Sequence, residues 1–339
     1  MGDRVAKRIV LAAHPEGRVK ESDLRIETAA VAEPSEGEIL LRTKYLSLDP
    51  YMRARMEAVK SYAPHLNVGD VIVGQSVCEV VSSRRPDFQV GDIVLAFTGW
   101  RTFARSNGEG VRKLDLKSVP VTSWLGILGI AGFAAYVGLR VIGQPKKGET
   151  VVVAAASGGV GALVGQLARK AGARAVGIVG GAQKCEFVKN ELGFDAAIDH
   201  RSSQFEELLA KACPTGIDVY FENVGGEVFT AVWPLLNPYA RMPICGLVGQ
   251  FGQPAPTGLD RLPGAMRQIL SKSLLIRGFV ITDFGALRPD FEAEIIAGLQ
   301  DGTIRQREDV TEGFEQTIPA FIRMLEGRSF GKSVVKVDA

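Results

Sequence analysis

A chain of 339 residues is long enough to bury two separate cores, and its composition, 46% hydrophobic and 23% charged, is that of a globular protein. A net charge of +2 gives no basis for a nucleic-acid partner or for binding a membrane surface. No apolar run reaches membrane-spanning length, the first residues lack a signal-peptide core, and Cys78, Cys185, Cys213 and Cys245 form neither a CxxC pair nor a disulfide framework, so a reducing cytoplasmic location is expected.

Up to about Pro120 the chain reads as β-rich. Strand formers occupy 38–48, 71–73, 76–81 and 92–97, separated by turn signals at Gly69-Asp70 and Val90-Gly91-Asp92. Short strands at this spacing suggest a small barrel-like domain. The stretch 125–139 is rich in Gly, Ala and aliphatic residues and predicts a closely packed helix. From Thr150 strands and helices alternate. Strands are expected at 150–155, 174–179, 196–199, 217–222, 240–245 and 274–281, and helices at 162–171, 183–192, 204–213, 228–236 and 289–300. Such alternation implies right-handed βαβ units and a doubly wound parallel sheet. The tail, about 310–337, returns to mixed strand and helix and is expected to fold back onto the N-terminal domain. The fold class is thus α/β, with residues 1–122 as a β-rich domain, 123–309 as the doubly wound domain and 310–339 as a returning segment.

The turn after the strand at 150–155 carries the most specific chemistry. Its residues, Ala156-Ser157-Gly158-Gly159-Val160-Gly161, lead straight into the helix at 162–171. A dinucleotide pyrophosphate needs backbone N–H groups at a helix N-terminus and a backbone bare enough to approach. Gly158, Gly159 and Gly161 supply that bareness, although the spacing departs from strict GxGxxG. The next strand ends in Ile178-Val179-Gly180-Gly181-Ala182-Gln183-Lys184, with no carboxylate to take a ribose diol. A 2′-phosphate needs a cation, and Lys184 follows, so NADPH is expected over NADH.

Taken together, these segments resemble a known family. The chain is similar to the medium-chain dehydrogenase/reductases, in the zinc-independent branch of prostaglandin reductases and alkenal double-bond reductases. The resemblance runs over nearly the whole chain. It rests on Leu46-Ser47-Leu48-Asp49-Pro50-Tyr51-Met52-Arg53, Gly132-Phe133-Ala134-Ala135-Tyr136, Gly158-Gly159-Val160-Gly161, Tyr220-Phe221-Glu222-Asn223-Val224-Gly225-Gly226, Cys245-Gly246, Gly278-Phe279-Val280 and Gly331-Lys332. It implies a GroES-like substrate domain, a Rossmann domain, NADPH as hydride donor and a homodimer. It also implies cofactor contacts: Ser157, Gly158, Gly159, Val160 and Gly161 under the pyrophosphate, and Lys184 and His200 at the 2′-phosphate. Asn223 is implied at the ribose or nicotinamide. Cys245, Gly246, Phe251, Phe279 and Val280 are implied beside the nicotinamide, and Ser329 as a further contact.

No metal is expected. The chain has three histidines and no paired cysteines, and Gly74-Gln75-Ser76 stands where zinc-dependent relatives carry Gly-His-Glu. Without a Lewis acid, conjugate reduction of an enone is the less demanding chemistry, because charge spreads into an enolate that hydrogen-bond donors can hold. Relatives often carry tyrosines where this chain has Phe251 and Ser271, so the proton donor is left open. Tyr51 is the first candidate, with a packing role as the competing reading. Tyr62, a cofactor ribose hydroxyl and water are the others. Arg53 and Arg55 read as surface or interdomain ion-pair residues, Asp49 as a turn cap and Trp100 as core. Phe251 and Phe279 suit an apolar small-molecule pocket. The expected activity is NADPH-dependent reduction of the C=C bond of α,β-unsaturated aldehydes or ketones. A quinone reductase and a low-turnover NADPH-binding protein are the alternatives.

Overall fold

Segment by segment, the apolar periodicity becomes regular structure in a computed structural model that describes residues 4–59, 61, 63–251 and 262–337. In chain order the first strands and helix are β1 (Arg4–Leu11), β2 (Leu24–Val31), β3 (Ile39–Ser47), α1 (Tyr51–Arg55), β4 (Ser76–Ser83), β5 (Ile93–Ala96), β6 (Phe103–Ser106) and β7 (Arg112–Lys113). Then come α2 (Ile130–Val137), β8 (Thr150–Ala154), α3 (Gly161–Lys170), β9 (Arg174–Val179), α4 (Ala182–Asn190), β10 (Ala196–Asp199) and α5 (Phe205–Ala212). They are followed by β11 (Ile217–Phe221), α6 (Gly226–Val232), β12 (Leu236–Ile244), α7 (Leu262–Lys272), β13 (Leu275–Gly278) and α8 (Arg288–Gln300). The chain closes with β14 (Glu308–Glu312), α9 (Thr317–Leu325) and β15 (Lys332–Lys336).

Two units result: Met1–Gly126 with Glu308–Ala339, and Ile127–Arg307. In the first, β1 and β2 form an antiparallel hairpin, and a larger sheet runs β14-β15-β3-β4-β5-β7 with β6 also on β3. Among the described residues of this unit only β14 and β15 pair in parallel; β15 lies antiparallel to β3, so a strand from late in the chain completes the sheet begun near its start. Trp100, fully buried, sits edge-on to Phe321 at 5.1 Å in this unit's core, with Ile9, Leu46, Met52 and Val335 around it. The expected strand at 71–73 does not form. Its backbone is spent instead on single bonds, Ile72 N–H to Ile9 O and Trp100 N–H to Ile72 O, with one bridge from Val71 to Val10.

The second unit is built on a six-stranded parallel sheet in the order β10-β9-β8-β11-β12-β13. Every residue of β8 is buried, as expected of a central strand covered on both faces. Helix α2 is shorter than its Gly/Ala-rich stretch predicts, because the chain continues as a π-helical segment, Gly138–Gly143. Close packing is nevertheless what the small residues serve. A side chain at Gly138 would lie 2.6 Å from the Phe221 ring and 2.9 Å from Phe279.

The contact that seats α3 on the sheet is equally tight. A Cβ at Gly165 would fall 1.9 Å from Cζ of Phe194, whose ring is buried between α3 and β9. Gly165→Ala is therefore expected to destabilise this unit by about 1–3 kcal/mol, the usual range for forcing atoms into a filled core. Denaturant midpoints measure it, and a neutral outcome would contradict the packing described; Phe194→Leu in the same chain should restore part of the loss.

Candidate active site

Because all six strands of the sheet are parallel, the residues that follow them gather at one edge. Ser157 to Gly161 follow β8, Lys184 follows β9, His200 follows β10, Asn223 follows β11, Cys245 and Gly246 follow β12, and Phe279 and Val280 follow β13. The sheet order reverses between β8 and β11, and the crevice at such a reversal is where open α/β sheets take their ligands. Tyr51 and Ser329 belong to the other unit.

The turn after β8 is forced by close backbone contacts. A Cβ at Gly161 would sit 2.4 Å from the Ala155 carbonyl oxygen and 2.8 Å from the Ala156 Cα, and one at Gly158 would lie 3.3 Å from the same oxygen. Ala155 itself takes a left-handed φ of 54°, an uncommon conformation for a residue with a Cβ. Ala156 is buried and donates its N–H to Ile178 O at 3.0 Å, which ties the turn to β9. Helix α3 then starts at Gly161, with the Ala162 N–H on Gly158 O and the Leu163 N–H on Val160 O, so its N-terminus follows directly on the bare glycine backbone, the setting in which a phosphate group is received.

The end of β9 was read only in part from the sequence. The guanidinium of Arg201 lies over Gly180, with Nε 3.0 Å and Nη2 3.1 Å from where a Cβ would stand. Among the described residues Arg201 makes no salt bridge. Lys184 is half-buried and close enough to His200 to disfavour its charge. Burial first, and then the Arg201 guanidinium, hold the His200 imidazole below its usual range. Two carboxylates, Asp199 and Glu227, act on His200 in the opposite sense. Burial opposes the charge of Asp199, but N–H donors from Arg201 and Gly181 outweigh it and keep the carboxyl low, so this group braces the turn. Arg201 had no signal in the sequence beyond its charge; it reaches Gly180 because β10 lies beside β9.

Across the reversal, Asn223 donates from Nδ2 to Ala154 O at 2.9 Å, stitching the end of β11 to the end of β8. The loop after β12 is tied to the same place: Val248 N–H donates to Asn223 O and Gly249 N–H to Val224 O. Burial pushes the Cys245 thiol up to about 12, so it stays protonated at neutral pH. Phe251 is half-buried just beyond the short turn Val248–Gln250, and Ser271 is exposed on α7, where its hydroxyl donates to Gln268 O at 3.3 Å.

In the first unit Tyr51 opens α1, its ring against the core and its hydroxyl oxygen screened from solvent. The turn that precedes it is clamped by Lys332. Its Nζ donates to Leu48 O at 2.6 Å and to Ser333 O at 3.0 Å, and pairs with Asp49 Oδ1 at 3.0 Å. Ser47 donates its hydroxyl to the other oxygen of Asp49. Asp49 is thus half of a buried ion pair and not a simple turn cap. Arg53 also departs from expectation: it is buried, held by Glu57 at 2.9 Å and Gly17 O at 2.9 Å. Ser329 is half-buried in the segment before β15, and Tyr62 lies outside the described residues. Trp100 is core.

These features have counterparts in known proteins. Residues 7–114 match a family described as the N-terminal domain of oxidoreductase, and residues 159–297 one described as zinc-binding dehydrogenase. The chain is 49% identical to the NADPH-dependent curcumin reductase of Escherichia coli, over 98% of its own length and 96% of the relative's. It is 37% identical to prostaglandin reductase 1 of Rattus norvegicus, covering 98% of this chain and 99% of that one.

The chain belongs to the medium-chain dehydrogenase/reductase family, in the branch of the prostaglandin and alkenal reductases.

A solved structure of this branch, CurA of Vibrio vulnificus in complex with NADPH, superposes with a TM-score of 0.95 at 46% identity, covering 98% of this chain and 99% of that one. The family's zinc-binding description does not carry over residue by residue. Among the described residues no group of three His, Cys, Asp or Glu side chains could hold a metal ion. Nor is any described helix long and apolar enough to cross a membrane.

Proposed function

We propose that this protein reduces the C=C bond of α,β-unsaturated aldehydes and ketones with NADPH. The observation that carries the reading is the cationic end of β9, where Arg201 lies over Gly180 beside Lys184 and His200. A ribose diol calls for a carboxylate there, whereas a 2′-phosphate calls for cations. The bare turn at Gly158 and Gly161 fits the pyrophosphate of the same coenzyme.

Bound NADPH supplies a hydride to the β-carbon of the conjugated substrate, which leaves an enolate to be protonated at the α-carbon. This chain's residues bind and orient. Ser157, Gly158, Gly159, Val160 and Gly161 hold the pyrophosphate, and Lys184, His200 and Arg201 the 2′-phosphate. Asn223, Cys245, Gly246, Phe251, Phe279 and Val280 border the nicotinamide, and Ser329 is proposed as a further coenzyme contact. Tyr51 is the proposed donor to the enolate, and it follows the turn that Lys332 clamps. The sequence has no tyrosine at Phe251 or Ser271 to share that task. Four free cysteines suit a reducing compartment, and we place the protein in the cytoplasm.

A panel of 2-alkenals, 2-enones and quinones, followed by the absorbance of NADPH, tests the activity. Rapid oxidation with alkenals or enones is expected; oxidation with quinones alone would make it a quinone reductase, and tight coenzyme binding without oxidation would remove the catalytic reading. Tyr51→Phe should lower kcat by at least about tenfold, a modest share of what a positioned acid contributes, and turnover within about twofold of the parent would take Tyr51 out of the chemistry.

Coenzyme choice is tested separately. Lys184→Ala and Arg201→Ala should each raise KM for NADPH by about 10-fold or more, the loss of one charge-assisted contact, and leave KM for NADH nearly unchanged. Equal effects on both coenzymes would contradict the phosphate site.

The partner proposed is a second copy of this chain. Strand β13 is the edge of the parallel sheet, and Leu275 on it is 50% exposed, with Met266 and Leu270 on α7 at 56% and 81%. An unpaired edge beside apolar side chains is a ready surface for self-association. Light scattering should give twice the 36.4 kDa of one chain, and Leu270→Glu should shift it toward one; a parent protein of single-chain mass overturns the dimer.

A further inference from the structure

Glu222 stands three residues before Gly225, the first of the glycine pair that leads into α6, and its side chain is buried. It is 1% exposed, in a sheet edge whose other residues the coenzyme reading explains. Its Oε1 accepts two backbone N–H groups, from Val224 at 2.6 Å and Gly225 at 2.8 Å. Its own carbonyl accepts the N–H of Cys245 at 2.9 Å and of Gly246 at 3.2 Å. One residue therefore binds both the loop after β11 and the loop after β12.

The remaining oxygen, Oε2, has no hydrogen-bond partner among the described residues. The hydroxyl of Tyr220 lies beside it, outside ordinary hydrogen-bond geometry, and is itself fully buried. Burial pushes the Glu222 carboxyl up, against the N–H donors of Val224 and Gly225. A buried carboxyl with an unused oxygen is costly to keep. Cost without a local return suggests that the return is elsewhere, in the shape of the loop.

That shape is unusual. Gly225 and Gly226 both take positive φ, 76° and 59°. Left alone, such a glycine pair samples many conformations. With the Val224 and Gly225 N–H groups held by Oε1 it is confined, and Asn223 is confined with it, its Nδ2 on Ala154 O.

We propose that Glu222 is a positioning residue for the coenzyme, presetting the Asn223–Gly226 loop and the Cys245–Gly246 backbone before NADPH arrives. The proposal rests on the coenzyme reading given above. Glu222 acts through the backbone it holds and lowers the ordering that binding would otherwise require.

Fluorescence titration with NADPH, with steady-state kinetics, tests it on Glu222→Gln and Glu222→Ala. The amide oxygen of Gln can accept both N–H groups, so Glu222→Gln should bind NADPH within about threefold of the parent, well under the tenfold step of one hydrogen bond. Glu222→Ala removes the acceptor and should weaken NADPH binding by about 10-fold or more, raising KM for NADPH while kcat stays near that of the parent. Parent-like affinity in Glu222→Ala overturns the proposal, as does an equal loss in both variants. Should Glu222→Ala not fold, hydrogen exchange of the parent decides. Slow exchange of the Val224 and Gly225 amides without coenzyme, little changed by NADPH, is the expected result. Fast exchange that NADPH slows would mean that the coenzyme itself orders the loop. A parent protein that binds no NADPH defeats the coenzyme reading and, with it, this proposal; intact parent binding beside either of the other failures defeats this proposal alone.

Discussion

There is no room for a methyl group at residue 161. The carbonyl oxygen of Ala155 stands 2.4 Å from where that carbon would be, and the rest of the second unit is built on this closeness. It lets β8 turn into α3 within a few residues, which aims the helix N-terminus back at the sheet edge. It also sets α3 so low on the sheet that Gly165 must accept the Phe194 ring. Ala155 carries a left-handed backbone at the same corner, a strain of about 1–2 kcal/mol that the surrounding contacts hold in place. A dense turn of this kind lets a ligand approach bare backbone closely, which is what a phosphate group requires.

Parallel pairing does the gathering. Six strands running one way bring six separate loops to one edge, although they are spread from Ser157 to Val280 along the chain. Polar contacts then distinguish the two ends of the sheet. At the opposite end Arg241 is consumed by Gly143 O at 2.9 Å and Glu149 Oε1 at 3.0 Å, a closed structural cluster. At the crevice end Arg201 finds no salt bridge among the described residues, and Asn223 and Glu222 bind backbone.

In the first unit the corresponding fixed point is Lys332. Strand β15 pairs with β3 and delivers the Lys332 ammonium to the Leu48-Asp49 turn, so the last strand of the chain governs the position of Tyr51. A buried pair such as Asp49–Lys332 adds little net stability, since desolvation offsets the attraction, but breaking one side of it costs several kcal/mol. Its value is geometric: one arrangement of the turn satisfies both charges.

Much of this was legible in the residues alone. The buried runs of β8, β9 and β11, the glycine turn and the alternation of periods are local patterns, and local sterics and hydrophobic periodicity decide them. The missing carboxylate after Val179 is likewise visible in the chain itself, and so is the lack of metal-ligand spacing. What no local pattern carries is which distant groups meet. Arg201 over Gly180, Phe194 against Gly165, Lys332 beneath Asp49 and Arg53 buried beside Glu57 all depend on strand order and helix docking. The hairpin β1–β2 escaped notice for a related reason: β2 is half solvent-exposed and its charged residues obscure the alternation. Sequence by itself determined most element types, the family and the tight glycine turn, because each follows from neighbours a few residues apart. Tertiary structure alone decided that Arg201 lies over Gly180 and that Glu222 clamps its loop, because hydrogen bonds and charges act through space and the chain brings those partners together only when the sheet has closed.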